Sequence, residues 1–179
     1  REVSNRYLKS KTGGDQWRYE FKNPDSDSTR QIHEYRAVID WGADSVKQYW
    51  LNTGATLPYA GVVYVYQVRR NNGGGNVTNG TLLSHTEYTW ALNGTNPYVS
   101  AVKTARDGVW TKQQQWLDGF GNITQRRVYD TDLLLANART YNYTYLSDPG
   151  YTSSTGLHIR NRLTSATMTA GGQTYTLSI

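Results

Sequence analysis

The chain has 179 residues, enough for one domain, and its composition excludes several classes of protein. It contains 15 Tyr and 6 Trp but only 2 Phe and 1 Met, and Tyr, Trp and Thr favour the pleated surface of a β-sheet. The net charge of +5 is spread along the sequence, which does not favour a nucleic-acid-binding protein. The absence of cysteine excludes disulfides and thiolate metal sites. No apolar run reaches the roughly 18 residues of a membrane-spanning helix.

Alternating and β-branched runs predict strands along most of the chain. In the first half we expect strands over residues 17–22, 31–40, 45–51, 62–68 and 86–92. In the second half we expect them over 98–106, 109–117, 123–129, 141–145, 163–169 and 173–179. Asp107-Gly108 is a strong signal for a two-residue hairpin turn, and residues 131–138 are the only expected helical turn. The fold is expected to be all-β, with antiparallel hairpins arranged as a sandwich, a barrel or an extended meander.

The run from Trp116 to Thr124 contains the most informative local pattern in the sequence. Asp118-Gly119-Phe120-Gly121-Asn122 places an acidic residue, two glycines and Asn between two predicted strands, which is typical of a tight turn. Gly75-Asn76-Val77-Thr78 repeats part of this pattern upstream. One turn chemistry used twice indicates a repeated β unit, and repeat architectures usually serve as scaffolds, shells or binding surfaces.

The segment from Asp118 to Thr124 resembles the YD repeats of Rhs proteins, in which Tyr-Asp-x-x-Gly precedes Asn or Arg and a β-branched or aliphatic residue. Leu117 stands where the family usually has Tyr, and the aromatic residue is displaced to Trp116. Gly75-Asn76-Val77-Thr78 matches the second half of the repeat, and Tyr129-Asp130 supplies the dipeptide without the glycine. Two further segments, 139–146 and 159–163, are similar to stretches between YD units.

The resemblance implies long β-hairpins wound into a spiral or extended sheet, which closes into a hollow shell in Rhs toxins, toxin-complex components and teneurins. It implies that residues 1–179 are a single non-catalytic, structural segment of a bacterial shell or filament. The location would be extracellular, as a secreted or cell-surface protein. Its partners would be other Rhs-repeat segments or identical subunits, joined by β-edge pairing. Because the chain begins with Arg1 rather than Met, we expect it to belong to a longer polypeptide.

The residues expected to shape the repeat lie in turns, and no catalytic residue, cofactor or metal is expected. These turn residues are Asp107, Gly108, Asp118, Gly119, Gly121, Asn122, Gly75 and Asn76. His33-Glu34 would point to opposite faces of a strand, a poor arrangement for joint catalysis. The pairs Asp25/Asp27 and Asp130/Asp132 are interpreted as turn chemistry rather than as calcium ligands or a glycosidase pair.

Aromatic side chains support a second hypothesis, a carbohydrate-binding or adhesion module with surface glycans as its partner. The candidates for stacking on sugars are Trp110, Trp116, Tyr141, Tyr143 and Tyr145. The alternative explanation of these residues is cross-strand packing, which contributes roughly 0.2–1 kcal/mol per pair. A small β-fold glycosidase that uses one Asp pair is the third hypothesis.

Overall fold

A computed structural model shows an all-β fold, with twelve strands in the part of the chain that it describes, which confirms the predicted fold class. The structure describes residues 5–9, 16–24, 35–42, 44–52, 58, 60–72, 80–152 and 159–178, and within these ranges it describes the side chains from Ile39 to Leu177. Gly75, Asn76, His33-Glu34 and the pair Asp25/Asp27 lie outside the described residues.

Five of the eleven connections between successive strands have two to five residues, and the others are longer. The strands are Asn5–Lys9 (β1), Gln16–Pro24 (β2), Tyr35–Trp41 (β3), Ser45–Leu51 (β4), Val63–Arg70 (β5), Leu82–Asn93 (β6), Asn96–Arg106 (β7), Val109–Leu117 (β8), Ile123–Tyr129 (β9), Arg139–Tyr145 (β10), Leu163–Ala170 (β11) and Gln173–Ser178 (β12). Neighbouring strands are consecutive in the chain, so the strand order is β1 to β12. The pairings from β1 to β6 and from β8 to β12 are antiparallel.

The predicted boundaries agree best where turn signals flank a strand. β8 and β9 begin and end at the predicted residues. The sequence did not predict β1, which is short and lacks alternation, and it placed the start of β6 four residues late, at Thr86. Of the expected helical turn, only Leu135–Asn137 forms a 3-10 helix. A short helix, Pro149–Thr152 (α1), was not predicted, although Pro at a first helical position is favourable.

The chain divides into two compact units, which are described separately. The first comprises Arg1–Thr89 and Thr104–Val109, and the second comprises Trp90–Lys103 and Trp110–Ile179. In the first unit, Ile39, Trp41 and Val46 form a small buried cluster on the β3–β4 hairpin. Val46, which is 2% exposed, lies directly opposite Trp41 across this hairpin. Apolar contact between the two strands therefore fixes their register.

The second unit buries few side chains completely. Ala101, Tyr129 and Ala138 are its buried apolar residues among the described part of the unit, and no side chain of β8, β10 or β11 is fully buried. Tyr175 and Leu177 of β12 remain 59% and 60% exposed. Most side chains of β8 to β11 are half-buried or exposed, and those of β12 are exposed, so pairing between neighbouring strands contributes much of what holds them together.

Candidate functional site

The turn between β8 and β9 is built around the carboxylate of Asp118. Its Oδ1 accepts hydrogen bonds from the backbone N–H groups of Phe120 at 2.8 Å and Asn122 at 2.9 Å. Its Oδ2 accepts a third from Asn122 Nδ2 at 2.9 Å. The Asp118 backbone N–H also donates to the Asn122 carbonyl oxygen at 2.9 Å. This acidic side chain therefore acts as an internal hydrogen-bond acceptor that organises the turn.

The two glycines of this turn differ in whether the backbone geometry requires glycine. Gly121 has a φ of 88°, a backbone conformation that other residues adopt only with strain. Gly119 has no such φ, and a Cβ added there would meet no atom within 4 Å. Only Gly121 is therefore required by the geometry of the turn.

A second chain segment holds the tip of this turn. Asn122 Nδ2 also donates to the carbonyl oxygen of Arg160 at 2.7 Å. The Arg160 guanidinium carbon lies 4.6 Å from the centre of the Phe120 ring, and Arg160 Nε donates to the Thr152 carbonyl oxygen at 2.9 Å. We call Asp118–Asn122 together with Arg160 the turn clasp. Its two parts are 38 positions apart, and sequence reasoning did not anticipate their contact.

Burial and hydrogen bonding act in opposite directions on the Asp118 carboxyl. Burial disfavours the charged form, but hydrogen bonds from the Asn122 side chain and from backbone amides of Asn122, Phe120 and Gly121 outweigh it. Together they hold the pKa of Asp118 below its ordinary value of 3.8. Nearby, burial and then the charge of Asp118 raise the pKa of Tyr145, whose hydroxyl donates to the Ile123 carbonyl oxygen at 3.1 Å.

We expect the turn clasp to lose stability in acid. A lowered pKa in the folded state means that the carboxylate of Asp118 contributes its full stability above pH 3.8, and that this contribution is lost as the pH falls through the lower folded pKa. When the pH is lowered from 6 to 3, urea unfolding should therefore show a larger decrease in the free energy of unfolding for the natural chain than for Asp118→Asn. An equal loss in both proteins would contradict this role of Asp118.

The other acidic turn residues are also engaged in local structure. Asp107 and Gly108 have φ values of 49° and 79°, the conformation of a two-residue hairpin turn, between β7 and β8. Asp132 accepts a hydrogen bond from the Leu134 N–H at 3.0 Å and another from Asn137 Nδ2, and these bonds lower the pKa of Asp132. Asp130 pairs with Arg139 at 3.6 Å. Asp130 and Asp132 are thus used in the turn before β10.

The register of β8 to β10 separates the predicted aromatic residues onto opposite faces. Trp116 lies opposite Gln125, which lies opposite Asn142. Tyr141 instead lies opposite Arg126, which lies opposite Gln115. Because side chains alternate along a strand, Trp110 and Trp116 share one face, and Tyr141, Tyr143 and Tyr145 share the other. The five candidate stacking residues therefore do not form a single surface.

We call the face that carries the tryptophans the cation–aromatic face, because a cation lies against each of three rings. Lys103 Nζ is 4.0 Å from the centre of the Trp110 ring, and Lys112 Nζ is 4.9 Å from that of Tyr129. The Arg127 guanidinium carbon is 4.8 Å from the centre of the Trp116 ring. Such contacts contribute roughly 0.5–1 kcal/mol each at exposed positions. Sequence reasoning missed these pairs because they depend on strand register.

The opposite face, which we call the tyrosine face, consists of cross-strand rows. Tyr141, Met168 and Tyr175 form one row across β10, β11 and β12. Tyr143, Ala166 and Leu177 form the next. The rows become more exposed toward β12, which among the described strands pairs with β11 alone.

Fold and surfaces define the class of this protein as an all-β chain of consecutive antiparallel hairpins. No protein-family model matches the sequence, and no curated protein matches it. Across the described ranges, His, Asp and Glu residues form no group of three that could hold a metal ion. None of the helices in the described part of the chain is long and apolar enough to span a membrane.

Proposed function

We propose that this chain is a non-catalytic structural segment of an extracellular β-shell or filament of the Rhs/YD-repeat type. The single observation that carries the proposal is the turn clasp, in which the acidic residue of the repeat-like turn is committed to three hydrogen bonds within the turn. A carboxylate engaged in this way organises a hairpin, and the same turn chemistry can be repeated along an array.

The packing of the second unit supports the same proposal. A sheet is most stable when at least one face is covered by another layer. Most side chains of β8 to β11 are half-buried or exposed, and Tyr175 and Leu177 of β12 are largely exposed. Such a sheet gains stability when another repeat segment or an identical subunit pairs with its edge, so these are the partners that we propose.

Self-association through β12 tests this proposal. We expect sedimentation velocity to show assemblies that grow with protein concentration, and electron microscopy to show extended or closed sheets. Leu177→Lys places a charge on the edge strand and should reduce assembly at least about fivefold, because edge charges oppose strand addition.

Val109→Lys is the matched control, because Val109 is an exposed apolar residue, 51% exposed, on β8 rather than on β12. It should leave assembly within about twofold of the natural chain, since like charges away from the paired edge are screened by salt. Edge pairing would be contradicted if the chain stayed a compact monomer at every concentration. It would also be contradicted if Leu177→Lys and Val109→Lys reduced assembly equally.

A further inference from the structure

In the last part of the chain, acidic residues lie in the turns that connect the strands and not in the strands themselves. β8 to β12 contain no Asp or Glu, whereas they contain Lys112, Arg126, Arg127 and Arg139. The carboxylates near these strands lie in the connecting turns, where Asp118 and Asp132 accept backbone hydrogen bonds. The strand surface is therefore positively charged, and it favours a ligand of negative charge.

Two cations of the cation–aromatic face are held by aromatic rings and not by carboxylates. Lys112 and Arg127 lie against Tyr129 and Trp116, and across the described ranges neither forms an ion pair with a carboxylate. Arg127 Nε is buried without a hydrogen-bond partner. The Arg127 guanidinium is thus held against the Trp116 ring, and a planar guanidinium is well suited to bind a carboxylate with two parallel bonds.

Neutral polar side chains continue this face across β10, β11 and β12. Gln125 Nε2 donates to Asn142 Oδ1 at 2.9 Å, and Asn142 Nδ2 lies 3.5 Å from Thr167 Oγ1. Thr169 and Thr174 share a hydrogen bond of 3.1 Å between their hydroxyls. Hydroxyl and amide groups can both donate and accept hydrogen bonds, as sugar hydroxyls do. The face therefore combines fixed cations with rows of groups that match a polyhydroxylated ligand.

We propose that the cation–aromatic face, extended by the hydroxyl and amide rows of β10 to β12, binds an acidic polysaccharide built from uronic acids. Lys112 and Arg127 bind its carboxylates. Gln125, Asn142 and Thr167 exchange hydrogen bonds with its hydroxyls. The proposal is independent of whether the chain assembles into a shell or filament.

The geometry favours an acidic polysaccharide over a single-stranded nucleic acid. Proteins that bind single strands stack successive bases on open aromatic rings. Here a cation of the protein lies against each of the rings of Trp110, Tyr129 and Trp116, and Tyr129 is buried. Base stacking is thereby disfavoured, whereas hydrogen bonding and ion pairing with a glycan remain available.

Titration calorimetry of the full chain with polygalacturonate tests the proposal. Neutral dextran and single-stranded oligothymidylate serve as the comparison ligands. We expect binding to polygalacturonate that weakens as salt is raised, and no binding to dextran. Arg127→Gln should weaken binding about tenfold, because it removes a charge-assisted hydrogen bond to a carboxylate. Lys112→Gln should weaken it in the same direction, and it provides a second variant if Arg127→Gln fails to fold.

Arg126→Gln is the matched control, because it removes the same charge from the neighbouring position on the opposite face, where Arg126 Nη2 donates to Gln113 Oε1. It should change the affinity by no more than about twofold, since charges on the far face are screened. The proposal is overturned if polygalacturonate does not bind, if oligothymidylate binds more tightly, or if Arg126→Gln weakens binding as much as Arg127→Gln.

Discussion

Replacing Asp118 by Ala is expected to lower the free energy of unfolding by about 2 kcal/mol at neutral pH. The variant loses all three hydrogen bonds that the carboxylate accepts from Phe120 and Asn122. It also frees Asn122 Nδ2, whose other partner is the Arg160 carbonyl oxygen, so the contact between the two parts of the turn clasp should loosen. Urea unfolding followed by tryptophan fluorescence measures the change.

Asp107→Asn is the control for the loss of a turn carboxylate. Asp107 has a φ of 49°, which Asn tolerates well, so this variant should stay within about 0.5 kcal/mol of the natural chain. If the two variants unfold at the same urea concentration, the carboxylate of Asp118 does not organise its turn.

Gly80→Ala is expected to destabilise the first unit by about 2 to 3 kcal/mol. Gly80 is buried, and a Cβ at this position would lie 1.9 Å from the Arg70 carbonyl oxygen. That oxygen belongs to the backbone, so the two chain segments must separate. This separation strains two hydrogen bonds. The Arg70 N–H donates to the Thr81 carbonyl oxygen at 2.9 Å, and Arg69 Nη1 donates to the Gly80 carbonyl oxygen at 3.1 Å.

Gly119→Ala distinguishes this clash from a general cost of replacing glycine. Its Cβ would meet no atom within 4 Å, and its backbone has no positive φ. The substitution should therefore be neutral or slightly stabilising, because it reduces the freedom of the unfolded chain. Urea unfolding of both variants gives the comparison. Equal stability of Gly80→Ala and Gly119→Ala would show that the close approach at Arg70 does not matter.

Much of the strand pattern could be predicted from the sequence, because turn chemistry is local. Asp107-Gly108 and Asp118–Asn122 mark the ends of β8, and both of its predicted boundaries are correct. β1 lacks an alternating pattern and flanking turn signals of comparable strength, so its pairing with β2 could not be anticipated. The sequence also did not predict the need for glycine at position 80, because that need arises from the close approach of the Arg70 backbone, ten positions away.

The candidate surfaces depended on information that a single strand does not contain. Alternation shows that Tyr141 and Tyr143 share a face, but only the pairing of Tyr141 with Arg126 shows that this is the face opposite Trp116. The contact of Arg127 with Trp116 is diagonal across two strands and depends on the same register. One signal was available in the sequence, because the predicted strands after residue 108 contain no acidic residue while the predicted turns do.

The order of the strands also has a consequence for how the chain folds. Because each strand pairs with its neighbours in sequence, no pairing joins distant segments, and several of the loops that must close are short, as at Gly171-Gly172 between β11 and β12. Short loops carry a small entropic cost, and local pairing favours rapid folding compared with sheets that join distant segments. Hairpins can then form one after another during synthesis. A terminal hairpin can be gained or lost in evolution without disturbing any distant pairing.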